Sequence, residues 1–112
     1  MTILAMVSSR LERAGYDVVT ATRGDDALRL VHENRPRLVL LDVEMPGLDG
    51  VEVSKLIRAD EAIAATFIVL LTGLSTESQV AAGMAAGVNA YLTKPFSPQD
   101  LQTTVEGLIG PP

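Results

Sequence analysis

The chain alternates between two patterns of hydrophobic and polar positions. Short apolar runs rich in β-branched residues predict strands, at residues 17–22, 38–41, 67–71 and 90–92. Longer segments with apolar residues at helical spacing predict helices, at residues 3–14, 25–34, 50–59, 75–86 and 98–109. Strands separated by single helices indicate right-handed crossovers, so the sequence predicts an open α/β fold, a doubly wound parallel sheet covered by helices on both faces.

Several residues predict where these helices begin and end. Gly15 follows the first helix, as glycine commonly does at a helix end. The carboxylate of Asp25 is predicted to cap the second helix. Ser97 precedes Pro98 and is followed three positions later by Asp100, a pattern typical of a capped first turn. Charged residues of the third helix and the loop after it predict a solvated surface, at Glu52, Arg58, Asp60 and Glu61.

Composition narrows the class of protein. A chain of 112 residues with 47% hydrophobic content is expected to form one domain over residues 1–112. The net charge of −5 argues against direct binding of nucleic acid. The absence of cysteine excludes disulfides and thiolate metal sites, and fits the cytoplasm. The apolar runs are far shorter than the roughly 20 residues of a membrane span, and the N-terminus lacks the features of a signal peptide.

Three polar residues directly follow apolar strands. Asp42 follows residues 38–41, Thr72 follows residues 67–71, and Lys94 comes just after residues 90–92. Because parallel strands bring their carboxyl ends to one edge of a sheet, these side chains are expected to meet there. A carboxylate that can attack phosphorus, with a hydroxyl and an ammonium to hold anionic oxygens, predicts phosphoryl transfer.

Two motifs resemble a known family. Residues 40–50, LLDVEMPGLDG, resemble the phosphoacceptor strand and loop of response-regulator receiver domains, and residues 91–96, YLTKPF, resemble their lysine segment. The resemblance extends over essentially the whole chain. It implies a flavodoxin-like (CheY-like) fold and a receiver in a phosphorelay of two-component signalling, acting as a switch and not as an enzyme.

The resemblance also implies a role for each matching residue. Asp42 would accept a phosphoryl group from a sensor histidine kinase or a phosphotransfer protein. Lys94 would hold the acceptor and its phosphate, with a cis peptide bond to Pro95. Thr72 and Tyr91 would form the switch, and the face around Tyr91 would bind a downstream protein. Asp42 and the backbone carbonyl of Glu44 would bind Mg²⁺.

The N-terminus departs from the family's pattern. Receivers usually begin with a hydrophobic strand that ends in acidic residues that bind Mg²⁺, and this strand lies at the centre of the sheet. The favoured alignment puts Met1 at the start of the first helix, so that strand would be absent. A second alignment makes residues 2–7 the strand, with Ser8 and Ser9 at the acidic positions. Both alignments lack the acidic pair, so too little negative charge remains for Mg²⁺ to bind well.

An absent central strand would leave unpaired backbone groups on its two neighbours. A rearranged N-terminus, direct pairing across the gap or a second chain could fill it. On this ground the sequence predicts a sheet that is incomplete or rearranged at the N-terminus, and a homodimer.

Two other functions fit parts of the sequence. A pseudo-receiver would keep the fold and bind partners without phosphorylation, which the loss of the acidic pair favours. A phosphohydrolase of the haloacid dehalogenase type also uses an aspartate at a strand end, but its usual second aspartate is Glu44 here and the residues after it do not match.

Overall fold

The computed structural model describes residues 2–4, 9–73 and 77–111. The strands are β1 (Thr2–Leu4), β2 (Val18–Thr20), β3 (Leu38–Asp42), β4 (Phe67–Thr72) and β5 (Ala90–Thr93). The helices are α1 (Ser9–Ala14), α2 (Gly24–Asn34), α3 (Gly50–Ala59), α4 (Glu77–Ala85) and α5 (Pro98–Ile109). The predicted alternation of strands and helices is confirmed from β2 onwards, whereas the predicted start of the fourth helix, at 75 and 76, lies outside the described residues.

The five strands form one parallel sheet in the order β2-β1-β3-β4-β5. The chain first adds β2 on one side of β1 and then adds β3, β4 and β5 on the other side, which places helices on both faces of the sheet. The predicted doubly wound α/β architecture is therefore confirmed. Of the described helices, none is long and apolar enough to cross a membrane.

The core lies on both faces of the sheet because alternate residues of β3 and β4 point in opposite directions. On one face these strands pack against α2 and α3, through Val39, Leu41, Ile68, Leu70, Ala27, Val31, Val53 and Ile57. On the other face they pack against α1 and α5, through Leu38, Leu40, Val69, Leu71, Leu11, Leu101, Val105 and Ile109. Every residue of β3 is buried, as expected for a central parallel strand.

The prediction that the first strand is absent is wrong. Thr2–Leu4 forms β1 and pairs with Val18–Thr20 on one side and with residues 38–40 of β3 on the other. The predicted helix over residues 3–14 is confirmed from Ser9 to Ala14 and is wrong at Ile3 and Leu4, while residues 5–8 lie outside the described residues. Pairing on both sides satisfies backbone groups that a helix at this place would leave open in β2 and β3, and this tertiary gain outweighs the helical spacing of the apolar residues.

β1 therefore closes the centre of the sheet within one chain and in the ordinary doubly wound order, so the predicted incomplete or rearranged sheet is not found. The second alignment correctly predicted a first strand, but Ser9 belongs to α1 and not to a strand end, and Ser8 lies outside the described residues. The predicted homodimer rested on an open gap, so β1 removes the ground for it. Self-association stays a prediction without this support.

Two local predictions are also corrected. Asp25 does not cap α2: the helix begins at Gly24 after Arg23, without a side-chain cap, and Asp25 instead accepts a hydrogen bond from Arg23 Nε at 3.1 Å. Arg58 is not part of a solvated surface, because its guanidinium bonds three backbone carbonyls in a partly buried position. The cap of α5 is confirmed, since Ser97 and Asp100 form a reciprocal capping box.

Candidate functional site

The carboxyl ends of β3, β4 and β5 lie side by side at one edge of the sheet. Asp42 is the last residue of β3, Thr72 is the last of β4, and Lys94 directly follows β5. Backbone bonds continue the strand pairing into the loops, from Val43 N–H to the Leu71 carbonyl at 3.0 Å and from Lys94 N–H to the Thr72 carbonyl at 2.7 Å. The residues directly after β3 and β5 are therefore both held by the end of β4.

Asp42 is a buried carboxylate with two polar contacts. Its side chain is only 5% exposed, and Oδ2 forms an ion pair with Lys94 Nζ. Oδ1 accepts a hydrogen bond from the backbone N–H of Glu44 at 2.9 Å. The Lys94 side chain is 35% exposed, so the pair lies close to the surface, with the carboxylate on the inner side.

The loop after Asp42 is held by the start of α3. Gly50 N–H donates to the Val43 carbonyl at 3.1 Å, and a Cβ atom at Gly50 would lie only 2.5 Å from the Asp42 carbonyl oxygen. A side chain at this position would therefore push α3 away from the end of β3. Asp49 caps the helix in a capping box with Glu52, which fixes the first turn of α3 behind the carboxylate.

Thr72 and Tyr91 lie on β4 and β5, the two strands that follow the strand of Asp42 in the sheet. Thr72 is buried at 5% exposure, one residue beyond Leu71, which is level with Asp42 in the sheet. Tyr91 is half-buried, and its hydroxyl donates to the Val80 carbonyl of α4 at 2.9 Å. Burial raises the pKa of the Tyr91 phenol, while hydrogen bonds with the backbone of Gly83 and Met84 lower it in part.

The Lys94–Pro95 peptide bond is cis. The sequence-predicted residues Asp42, Thr72 and Lys94 thus come together at one edge of the sheet, and Tyr91 lies on β5, which β4 separates from the strand of the carboxylate. Glu44 contacts Asp42 through its N–H group. The contact of Tyr91 with α4 was not predicted, although a glycine inside that helix, Gly83, is a sequence pattern that indicates close approach of another group.

The donors at this edge do not fit Mg²⁺ well. In the part of the chain that the structure describes, no cluster of three or more His, Cys, Asp or Glu side chains could hold a metal ion. The four residues that follow β1 in the sequence, from Ala5 to Ser8, carry no carboxylate. The charge of Asp42 is already balanced by Lys94. A cation would therefore meet little net negative charge, whereas Mg²⁺ favours carboxylate and phosphate oxygens.

Comparison with known sequences identifies relatives of the chain. Residues 1–106 match the family model described as the response regulator receiver domain. The alkaline phosphatase synthesis transcriptional regulatory protein PhoP of Bacillus subtilis (strain 168) is 37% identical over 107 residues, which cover 96% of this chain and 44% of that protein. The chain thus spans less than half the length of this curated relative.

Solved structures with the same fold include two receivers. The chemotaxis protein CheY4 of Vibrio cholerae has a TM-score of 0.88 at 33% identity, with 96% of this chain and 97% of that chain covered. The receiver domain of the sensor histidine kinase PA1611 from Pseudomonas aeruginosa PAO1, which has a magnesium ion coordinated in its active site cleft, has a TM-score of 0.88 at 29% identity over 97% of this chain and 96% of that chain.

Proposed function

Because the chain belongs to the response regulator receiver domain family, which acts in two-component signalling, we propose that Asp42 is its phosphoacceptor. One contact carries this proposal: the buried Asp42 carboxylate pairs with the Lys94 ammonium at the edge where Thr72 also ends its strand. The phosphoryl donor would be a histidine kinase or a phosphotransfer protein. The chain would then act as a switch and not as an enzyme, and a cytoplasmic location stays a prediction.

The residues of the site suit each part of this transfer. An oxygen of Asp42 would attack phosphorus while the donor leaves, and the product would be an acyl phosphate on the strand end. The Lys94 ammonium, whose side chain is 35% exposed, would pair first with the carboxylate and then with a phosphate oxygen. The Glu44 N–H group, already aimed at Oδ1, holds the carboxylate in place.

The signal would leave the site through Thr72 and Tyr91. A hydrogen bond from the Thr72 hydroxyl to the new phosphate would move the end of β4, and Tyr91 on β5 would respond. The outer surface of α4 supports a protein partner at this face, because Val80 and Met84 are exposed hydrophobic residues, at 37% and 60% exposure. A small change of Tyr91 would thus alter the surface that the partner binds.

The phosphoacceptor role is tested by incubating the protein with acetyl phosphate and measuring its intact mass. We expect the wild type to gain one phosphate and the Asp42→Asn variant to gain none, because an amide is a poor nucleophile. Asp49→Asn is the matched control, since Asp49 lies in the same loop but caps α3 and an asparagine also caps well. This control is expected to gain phosphate like the wild type.

A second function follows if no phosphate is gained. The lack of carboxylates in the segment after β1 favours a pseudo-receiver, which would bind its partners without phosphorylation. A wild-type protein that folds but gains no phosphate would refute the phosphoacceptor role and support this second function. Phosphate gain by Asp42→Asn equal to that of the wild type would assign the modification to another residue. The fold and family give no support to the haloacid dehalogenase hypothesis.

Magnesium is expected to have a small effect on phosphate uptake. Since Lys94 already balances Asp42 and few carboxylates are available, replacing EDTA by millimolar Mg²⁺ should change the rate with acetyl phosphate by less than about tenfold. The rate is measured as the growth of the phosphorylated mass with time. The PA1611 receiver, whose cleft coordinates a magnesium ion, is the positive control under the same conditions. Saturable acceleration well above tenfold would show that this chain binds the ion productively.

A further inference from the structure

Helix α4 has a gap in its side-chain surface at Gly83. A Cβ atom built on Gly83 would lie 1.5 Å from the Tyr91 hydroxyl oxygen and 2.5 Å from Cζ of the same ring. It would also lie 3.2 Å from Cδ1 of Leu70 in β4. The tip of the tyrosine therefore occupies the volume that any other residue at position 83 would fill with its own side chain.

The hydroxyl of Tyr91 is bonded inside this gap. It donates to the Val80 carbonyl at 2.9 Å, three residues before Gly83 in the helix. The ring packs against the core cluster between the sheet and α3, which includes Leu70. This contact of the hydroxyl with the helix backbone is possible because Gly83 has no side chain.

We propose that Gly83 is a positioning residue that admits Tyr91 to its inward place against α4. This inference rests on the proposed function, because it names the residue that leaves room for the switch tyrosine against α4. A glycine within a helix destabilises that helix relative to alanine. In this chain the resulting space is used by Tyr91, so Gly83 couples the position of β5 to the surface of α4.

A matched pair of glycines makes the proposal testable. Gly107 lies inside α5, and apart from the backbone of its own helix and its chain neighbours no described atom lies within 4 Å of its Cβ position. Gly107→Ala is therefore expected to raise the urea midpoint of unfolding through helix propensity alone. Gly83→Ala is expected to lower the midpoint, because the new methyl group displaces the ring from the core and breaks the bond to Val80.

The same substitution in a Tyr91→Leu background isolates the contact. Leucine keeps apolar bulk but does not reach the place of the tyrosine hydroxyl. There we expect Gly83→Ala to raise the midpoint, as Gly107→Ala does in both backgrounds. Equal effects of Gly83→Ala with tyrosine and with leucine at position 91 would overturn the proposal, because the two residues would then be uncoupled.

The pKa of the Tyr91 phenol reports whether its ring is buried against α4. Exposure of the phenol in Gly83→Ala should lower the pKa of Tyr91 towards its ordinary value, because burial is what raises it. Tyr16 is the only other tyrosine, and its phenol, whose pKa is also raised by burial, is the internal control that should not change. Two resolved ring signals in an NMR titration measure both. A Tyr91 titration that is unchanged in Gly83→Ala would contradict displacement of the ring.

The inference and the proposed function can fail separately. The ring position in Gly83→Ala is measured without any phosphate, so it does not depend on Asp42 as acceptor. With acetyl phosphate, we expect Gly83→Ala to gain phosphate like the wild type while its Tyr91 signal no longer changes. Absence of phosphate in both proteins would refute only the acceptor role, whereas an equal Tyr91 response in both would refute only the role of Gly83.

Discussion

Replacing Lys94 with methionine is expected to destabilise the fold far more than replacing Asp42 with asparagine. Methionine keeps the length of the side chain but leaves a carboxylate, 5% exposed, without its cation. Loss of one partner from a buried ion pair typically costs about 3 kcal/mol or more. Asp42→Asn leaves the ammonium instead, which is 35% exposed and can be hydrated, so its cost should be about 1 kcal/mol or less. Urea unfolding of the two variants measures the difference.

Two further variants identify the cause. The double variant Asp42→Asn/Lys94→Met has no unpaired charge and should be more stable than Lys94→Met alone. Lys55→Met, on the exposed surface of α3, controls for the loss of a lysine and should have little effect. If Lys94→Met and Asp42→Asn cost the same, the carboxylate must be solvated in the native state, contrary to its burial in the structure.

The strands at the site could be predicted because their local pattern is strong. β3 and β4 are continuous apolar runs that end in one polar residue, and parallel strands bring those ends together whatever the details of the loops. Asp42, Thr72 and Lys94 could therefore be placed at one edge from spacing alone. The register adds only that Leu71, and not Thr72, is level with Asp42.

β1 could not be predicted with the same methods. Three residues are too few for a period of two to be distinguished from helical spacing, and Ile3 and Leu4 also fit the apolar positions of a helix. What decides their conformation is the pairing partners on both sides, β2 and β3, which lie far away in the sequence. Such long-range pairing has no local pattern, so the favoured alignment assigned these residues to the wrong element.

Contacts that single side chains make between elements could not be predicted from the sequence either. The charged residues around Arg58 are spaced as on a solvated helix surface. The Arg58 guanidinium nevertheless donates to carbonyls in the loop before β4 and in the loop before β5. The contact between Tyr91 and the Val80 carbonyl depends on how α4 lies across β5. The composition of either segment contains no information on that arrangement, although the glycine in α4 was compatible with it.

Replacing Arg58 with alanine is expected to cost about 3–4 kcal/mol of stability, since several bonds to a charged group are lost together. Its guanidinium donates to the carbonyls of Gly87, Ala64 and Thr66 at 2.9, 2.8 and 2.6 Å, and to Asn89 Oδ1 at 2.9 Å. Lysine cannot make this set of bonds, because it lacks the planar fork, so Arg58→Lys should recover only part of the loss. Urea unfolding compares the three proteins.

Arg29→Ala is the matched control, because Arg29 is an exposed helical arginine that pairs with acidic residues of its own helix, at 58% side-chain exposure. Its loss should cost about 0.5 kcal/mol or less. Equal destabilisation by Arg29→Ala and Arg58→Ala would show that the carbonyl bonds of Arg58 add nothing to the stability of the fold.

Loss of Arg58 should also loosen the packing of Tyr91 against α4, because Gly87 and Asn89 join α4 to β5. The pKa of the Tyr91 phenol should then fall, while that of Tyr16 should not. Arg58, on α3, would then hold the junction between α4 and β5, where Gly83 leaves room for Tyr91.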